Sequence, residues 1–353
     1  MYIKYNIKLK MKLKTEKLFA LAAVIAANLS YGALRSYASE PGDKNSRSSY
    51  SNPVCARSLA DPTVIQAEDG TFYLYATAHN VSIMKSSNLV DWEAAGTAFT
   101  NETRPDFVPK AGIWAPDINK IGDKYVMYYA MSVWGGEWDC GIGCAVADSP
   151  AGPFTDCGKM FNSKEIGVRN SIDPFYIEDG GRKYLFWGSF HGIFWVELSG
   201  DGLSVKAGCK PVQVAGNAFE GVYILKKGGK YYMFASVGSC CAGASSTYTT
   251  VVGRSDSLFG PYTDKAGRPM LQNHYEVLIH GNEVFAGTGH NAEIVTDDSG
   301  KDWILYHAFD RSAVEVGRML LLDRVMWKKS WPYVKDAQPS SDADAPVFLP
   351  ARH

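Results

Sequence analysis

One arrangement recurs five times along this chain, and it leaves few folds open. A polar residue opens a short apolar or β-branched run, a Gly- or Asp-rich turn follows, and an aromatic strand returns. Asp61-Pro62-Thr63-Val64-Ile65 leads through Glu68-Asp69-Gly70 to Phe72-Tyr73-Leu74-Tyr75. Trp114-Ala115-Pro116-Asp117-Ile118 leads through Gly122-Asp123 to Tyr125-Val126-Met127-Tyr128-Tyr129. Asn170-Ser171-Ile172-Asp173-Pro174-Phe175 precedes Tyr184-Leu185-Phe186-Trp187, and Glu220-Gly221-Val222-Tyr223-Ile224 precedes Tyr231-Tyr232-Met233-Phe234. His290-Asn291-Ala292-Glu293-Ile294 precedes Trp303-Ile304-Leu305-Tyr306-His307. Alternating patterning with a turn at this distance reads as a hairpin. The spacing, roughly 50 to 70 residues, is that of a propeller blade plus its loops. Further strands follow most hairpins, and Gly152-Pro153-Phe154 and Gly260-Pro261-Tyr262 form matching corners. The expectation is an all-β chain folded as a five-bladed β-propeller.

In such a fold the first strand of each blade lines the central channel. Asp61, Asp117, Asp173, Glu220 and His290 hold equivalent places in the repeat and are expected to converge on one end of the axis. Taken singly, an Asp-Pro pair is only a turn signal. Several acids brought together without a packing reason make a site.

Residues 1–39 read as a signal peptide. Lys4, Lys8, Lys10, Lys12, Lys14 and Lys17 precede the apolar run Leu18–Ala27, which is short for a bilayer span, and small residues near Ala38-Ser39 suit cleavage. Met11 is an alternative start, and an N-terminal anchor is the competing reading. Residues 40–53, rich in Ser and Asn, read as a flexible lead-in, and 54–353 as one propeller domain. The mature chain is expected to be secreted or periplasmic, monomeric and without a membrane span. A net charge of -1 with scattered Lys and Arg argues against nucleic acid and anionic membranes as partners. Of the seven cysteines, Cys140 and Cys144 have a metal-like spacing but no second pair follows. The adjacent Cys240 and Cys241 read as buried thiols or a local disulfide.

No nucleophile elbow, phosphate loop or dinucleotide fingerprint stands in a supporting context. His79, His191, His274, His280 and His307 are scattered and form no ligand motif. Carboxylates facing one another across a wet cleft suit glycosidic bond cleavage: one protonated acid serves the leaving oxygen and one ionised carboxylate activates water or attacks carbon. A third acid nearby raises the pKa of the proton donor.

From Leu59 to Trp331 the chain resembles glycoside hydrolase family 43, the five-bladed arabinanases and β-xylosidases. The matching stretches are Ala60-Asp61-Pro62-Thr63, Trp114-Ala115-Pro116-Asp117, Asn170-Ser171-Ile172-Asp173-Pro174, Trp187-Gly188-Ser189-Phe190, Phe219-Glu220-Gly221 and Gly287-Thr288-Gly289-His290. Gly188–Ile193, the Cys240-Cys241 loop through Tyr248, and Val252-Gly253-Arg254-Ser255 resemble endo-1,5-α-L-arabinanases more narrowly. The resemblance implies Asp61 as general base, Glu220 as general acid and Asp173 as the residue that tunes and orients the acid. It implies inversion, which places the two catalytic carboxyls roughly 6.5 to 9.5 Å apart. It also implies a hydrated calcium or similar ion held by His290, largely through waters because calcium prefers oxygen. Trp114, Asn170 and Ser189 become walls of the sugar subsite, and arabinan, a pectin side chain, the substrate. Ala60, where the family often has His, and Val222 depart from the usual pattern. An exo-acting α-L-arabinofuranosidase or β-xylosidase and a non-catalytic carbohydrate-binding propeller are the alternatives, with a retaining fructan- or sucrose-cleaving enzyme as a third.

Overall fold

The computed structural model describes residues 48–349. The signal-peptide reading falls on residues outside that range. Within it the chain is all-β. Its one α-helix is the single turn Ser163–Ile166, capped by Asn162, whose side chain accepts from Glu165 N while Glu165 reaches back.

The strands follow one another as antiparallel meanders. The first sheet is β2 (Ala60–Gln66), β3 (Phe72–Thr77), β4 (Ser82–Ser86) and β5 (Glu93–Thr97), preceded by the short β1 (Ser49–Ser51). The second is β6 (Gly112–Ile121), β7 (Lys124–Ser132), β8 (Gly141–Ala147) and β9 (Thr155–Asn162). The third is β10 (Phe175–Asp179), β11 (Arg182–Trp187), β12 (Ile193–Glu197) and β13 (Val212–Ala215). The remaining strands form one nine-stranded sheet: β14 (Glu220–Lys227), β15 (Lys230–Val237), β16 (Thr249–Ser255), β17 (Glu276–Ile279), β18 (Phe285–Gly289), β19 (Ile294–Thr296), β20 (Asp302–Asp310), β21 (Met319–Lys328) and β22 (Trp331–Tyr333). Two runs, β14–β17 and β19–β22, are joined there through β18, which meets β16 in parallel only at Thr249 and Thr288. Each expected hairpin is present, as in the Val64–Leu74 and Ile224–Met233 pairings.

Alternating side chains send apolar faces from each sheet toward its neighbours. Tyr75, Ile83, Ile113 and Met127 pack the first sheet on the second, and Tyr128, Ile142, Leu185 and Val196 the second on the third. Phe175, Phe186, Tyr223 and Ile304 belong to a cluster shared by the third sheet and the last. Leu74, Met84, Trp303 and Leu305 pack the first sheet on the last.

Near the first strands, hydrogen bonds cross every junction. Ile118 N donates to Thr63 Oγ1 at 3.2 Å, Tyr176 N to Asp117 Oδ2 at 2.8 Å, and Gly221 N to Asp173 Oδ2 at 3.2 Å. Ile294 N donates to Tyr223 Oη at 3.2 Å, and Val64 N to Glu293 Oε2 at 2.6 Å, which returns to the first sheet.

The lead-in is not flexible throughout. β1 pairs with β23 (Asp342–Asp344), Tyr50 is buried with its hydroxyl on Leu322 O, and Asn52 is fixed to Leu322 and Ser340. A buried aromatic and a saturated amide give Ser49–Pro53 partners that its Ser/Asn-rich composition does not suggest.

Candidate active site

At the start of the first strands the backbone takes an uncommon turn. Asp61, Ala115, Asp173, Gly221 and His290 all have positive φ, at 53°, 42°, 58°, 59° and 47°. Four of the five are not glycine, and such conformations in non-glycine residues gather at functional sites. At Gly221 a Cβ would crowd the His290 ring at 3.1 Å. The ladder slips at this point in three of the hairpins, between Ala60 and Thr63, Trp114 and Asp117, and Glu220 and Tyr223.

This turn also corrects the expected equivalence. In the second repeat the turn residue before proline is Ala115, matching Asp61 and Asp173 before theirs. Asp117 lies two residues further on. Its carboxylate accepts from Tyr176 N and Asn119 Nδ2 at 2.8 and 2.7 Å, at a sheet junction, and does not line the cleft. Glu220 likewise stands one residue before the turn position, which Gly221 holds.

Asp61, Asp173, Glu220 and His290 do come together, in a cleft of about 220 Å³ that Trp114 also lines. Asp61 is tightly held. Its Oδ1 accepts from Arg318 Nη1 at 2.7 Å and its Oδ2 from Thr77 Oγ1 at 2.7 Å. His290 and His307 present Nδ1 to Oδ1 at 3.4 and 3.5 Å. Burial alone would raise the pKa of Asp61; the Arg318 guanidinium above all, with the Thr77 hydroxyl, outweighs it and holds the carboxyl well below its usual range. Arg318 and Thr77 thus favour the ionised form of Asp61.

The other two acids behave oppositely. Burial raises Asp173 well above the usual range, the charges of Glu220 and Asp61 raise it further, and the Gly221 N–H opposes them. Burial also raises Glu220; Ser189 and Tyr248 pull it down as donors and Asp61 pushes it up. Burial, and for Asp173 the neighbouring Glu220 charge, thus favour the protonated form in this pair.

His290 is kept neutral by burial, which outweighs the attraction of Asp61, and its backbone N donates to Ser236 Oγ at 2.8 Å. Its neutral imidazole can offer a lone pair to a cation. Among the described residues no three His, Cys, Asp or Glu side chains converge as a metal-binding group. Asn170 and Ser189 stand off the cleft lining. Ser189 is buried and donates to Glu220 Oε2 at 2.6 Å, while Asn170 Nδ2 donates to Ser189 O at 3.2 Å. They support the acid's surroundings instead of forming the wall.

Sequence reading missed several participants. Arg318, Thr77, Tyr248 and Trp134 line the cleft. His307, one of the scattered histidines, accepts from Asp61 N through Nδ1 at 3.1 Å and stacks on Tyr248. It interrupts the apolar stretch of the fifth aromatic strand, between Tyr306 and Ala308, a polar break that could have marked it. Arg318 and Trp134 lie in connections between strands and carry no such pattern. Cys240 and Cys241 form a disulfide and also line the cleft, whereas Cys140 and Cys144 are free and buried. A second, larger groove, lined by Phe190, Thr247, Thr249, Tyr275 and Val277 among others, carries no carboxylate.

The sequence pattern of the family described as Glycosyl hydrolases family 43 matches residues 50–332. The chain belongs to glycoside hydrolase family 43. This family 43 enzyme is 33% identical over 308 residues to an extracellular exo-α-(1→5)-L-arabinofuranosidase of Cellvibrio japonicus, covering 79% of this chain and 86% of that one. It is 31% identical over 288 residues to an extracellular endo-α-(1→5)-L-arabinanase of Bacillus subtilis, covering 78% and 87%. Among solved structures, the α-L-arabinanase of Cellvibrio cellulosa complexed with arabinohexaose superposes with a TM-score of 0.72 at 30% identity, covering 79% of this chain and 96% of that one. The chain is a glycoside hydrolase.

Proposed function

We propose that this hydrolase cleaves the α-1,5-linked L-arabinofuranose chains of arabinan, acting internally and with inversion. One arrangement carries the reading: a single cleft holds Asp61, whose ionised form Arg318 and Thr77 favour, beside Asp173 and Glu220, whose burial favours the protonated form. Asp61 takes a proton from water as that water attacks the anomeric carbon. Glu220 delivers a proton to the departing glycosidic oxygen. Asp173, bonded to Gly221 N, orients the acid and keeps the shared proton available. The names of the relatives supply the substrate, and they include both endo- and exo-acting enzymes. Endo action is our reading of the narrower motif match; an exo enzyme is the alternative.

We also propose a five-bladed propeller with β2, β6, β10, β14 and the β18–β19 segment innermost. The ring of junction hydrogen bonds returning from Glu293 to Val64 supports it, as does the apolar cluster packing the first sheet on the last. The neutral His290 fits a hydrated calcium or similar ion that it would hold with waters; such an ion would add positive charge beside Asp61. Two relatives named as extracellular, with the leader read in the sequence, support export. We expect a monomer.

Digestion of linear 1,5-α-L-arabinan beside a Glu220→Ala control tests the reading. A ladder of short oligomers, lost in the control, is expected. Arabinose as the sole product replaces endo with exo action. No release from arabinan overturns the substrate. Proton NMR of the first-formed anomer tests inversion.

A further inference from the structure

The ladder slips where Asp61, Ala115 and Gly221 stand, so the N–H of each needs an acceptor outside it. A side chain supplies that acceptor every time. Ala115 N donates to Thr77 Oγ1 at 2.8 Å and Gly221 N to Asp173 Oδ2 at 3.2 Å. His290 N, at the corresponding turn of the fifth repeat, donates to Ser236 Oγ at 2.8 Å. Asp61 N donates to His307 Nδ1 at 3.1 Å. Three of these acceptors are hydroxyls or a carboxylate. Under Asp61 alone of the four, the acceptor is an imidazole.

Nδ1 accepts only as the bare nitrogen of a neutral ring, so the hydrogen of His307 sits on Nε2. Nε2 is buried and bonds no protein group. A buried donor left without a protein partner costs free energy that an apolar side chain of similar size would not. His307 is fully buried in β20, between Tyr306 and Ala308, with Gly289 and Leu320 as its ladder neighbours. Its one hydrogen bond from a protein donor is thus the bond from the Asp61 backbone. The ring also makes a second contact. It stacks on Tyr248 with centroids 5.6 Å apart and planes 14° apart, and the Tyr248 hydroxyl bonds the Glu220 side chain. One rigid ring therefore touches the backbone of Asp61 on its edge and the support of Glu220 on its face.

We propose that His307 is a positioning residue that fixes the place of Asp61 relative to Glu220, by accepting the Asp61 N–H while its ring packs on Tyr248. The proposal rests on the roles given to Asp61 and Glu220 above. Inversion needs a water seated between the two carboxyls, so their separation has to be held. An error of about 1 Å in such an arrangement lowers the rate on the order of a hundredfold.

Two variants of the full-length protein separate the edge of the ring from its face. His307→Phe keeps an aromatic ring on Tyr248 and removes the acceptor. His307→Asn removes the ring and places an amide oxygen close to where Nδ1 stands. Steady-state kinetics on linear 1,5-α-L-arabinan are read beside thermal unfolding by circular dichroism, with Asp61→Asn as control. In His307→Phe, kcat is expected to fall roughly thirtyfold with KM within about twofold, since an interaction that matters in the transition state alone is lost. His307→Asn is expected to keep kcat within roughly fivefold of wild type. Unchanged kcat in His307→Phe overturns the proposal. So does an equal fall in both variants, which assigns His307 to packing, and so does a rise in KM at unchanged kcat. If His307→Phe does not fold, His307→Asn decides: a loss within roughly fivefold supports the acceptor role, and a loss of thirtyfold or more overturns it. Asp61→Asn at wild-type activity overturns the assignment of the base itself. An inactive Asp61→Asn beside a fully active His307→Phe overturns the positioning role and leaves that assignment standing.

Discussion

Arg318 Nη1 lies 2.7 Å from Asp61 Oδ1, and no other neighbour does more to favour the ionised form of that carboxyl. Burial works against ionisation of Asp61, and Arg318 is the largest of the effects that reverse it. Arg318→Met removes that charge and leaves two histidines that are themselves neutral. The pKa of Asp61 then rises, so the base protonates at a higher pH. The acid limb of kcat/KM is expected to move up by about one unit or more, so that activity falls off at a higher pH than in the wild type while activity at pH 7 changes little. A pH–rate profile of the variant checks this; an unmoved acid limb contradicts the assignment of Asp61 as base.

Ser189 tests the other limb. Its hydroxyl donates to Glu220 Oε2 at 2.6 Å and lowers the acid's pKa. Ser189→Ala removes a donor that favours the ionised form, so Glu220 keeps its proton to higher pH. The alkaline limb should shift upward by a few tenths of a unit to one unit, with kcat reduced severalfold because the acid is less firmly placed. A downward shift would mean that Ser189 does not act through the carboxylate.

What could be read in the sequence and what could not divide along physical lines. The hairpins were legible because period-2 patterning and turn residues are local. Asp61 and Asp173 were legible because each precedes a proline at the turn that opens a first strand. Asp117 misled because its carboxylate was aligned and not its proline; Ala115 is the true counterpart, and the slip of two residues sends Asp117 to the junction with Tyr176. Arg318 and Thr77 were invisible because their roles exist only through contacts with Asp61 across 257 and 16 residues of chain. The apolar wall was half legible: Trp114 lies in the repeat, whereas Trp134 sits in a connection whose path no local pattern sets.

Trp134 is 80% exposed yet lines the cleft, a large apolar area with no packing reason to face water. Aromatic faces of this kind stack on sugar C–H groups. Trp134→Ala is expected to raise KM for arabino-oligosaccharides roughly fivefold while kcat changes little, since a contact worth about 1 kcal/mol is lost in ground and transition state alike. Trp138→Ala serves as the control: it is 45% exposed in the same connection but does not line the cleft. Steady-state kinetics on both variants decide whether Trp134 binds sugar.

Glu293 and Asp117 are buried acids at the sheet junctions, and each is bonded to a neighbouring sheet's backbone: Glu293 to Val64 N, Asp117 to Tyr176 N. Burial raises Glu293 to about 7, and burial followed by the charge of Glu293 raises Asp117 well above the usual range. For a carboxyl whose folded pKa lies above its unfolded value, the fold binds the proton more tightly than the open chain does. The stabilisation from Glu293 is thus complete below about pH 4.5, the unfolded value, and is lost as pH rises through about 7. Glu293→Gln removes the charge while its amide oxygen can still accept from Val64 N. Thermal unfolding of the variant should match wild type near pH 5 and exceed it at pH 8, by an amount on the order of 1–3 kcal/mol. If the two proteins lose stability in parallel between pH 6 and pH 8, the junction acids are ionised already and the proton lies elsewhere.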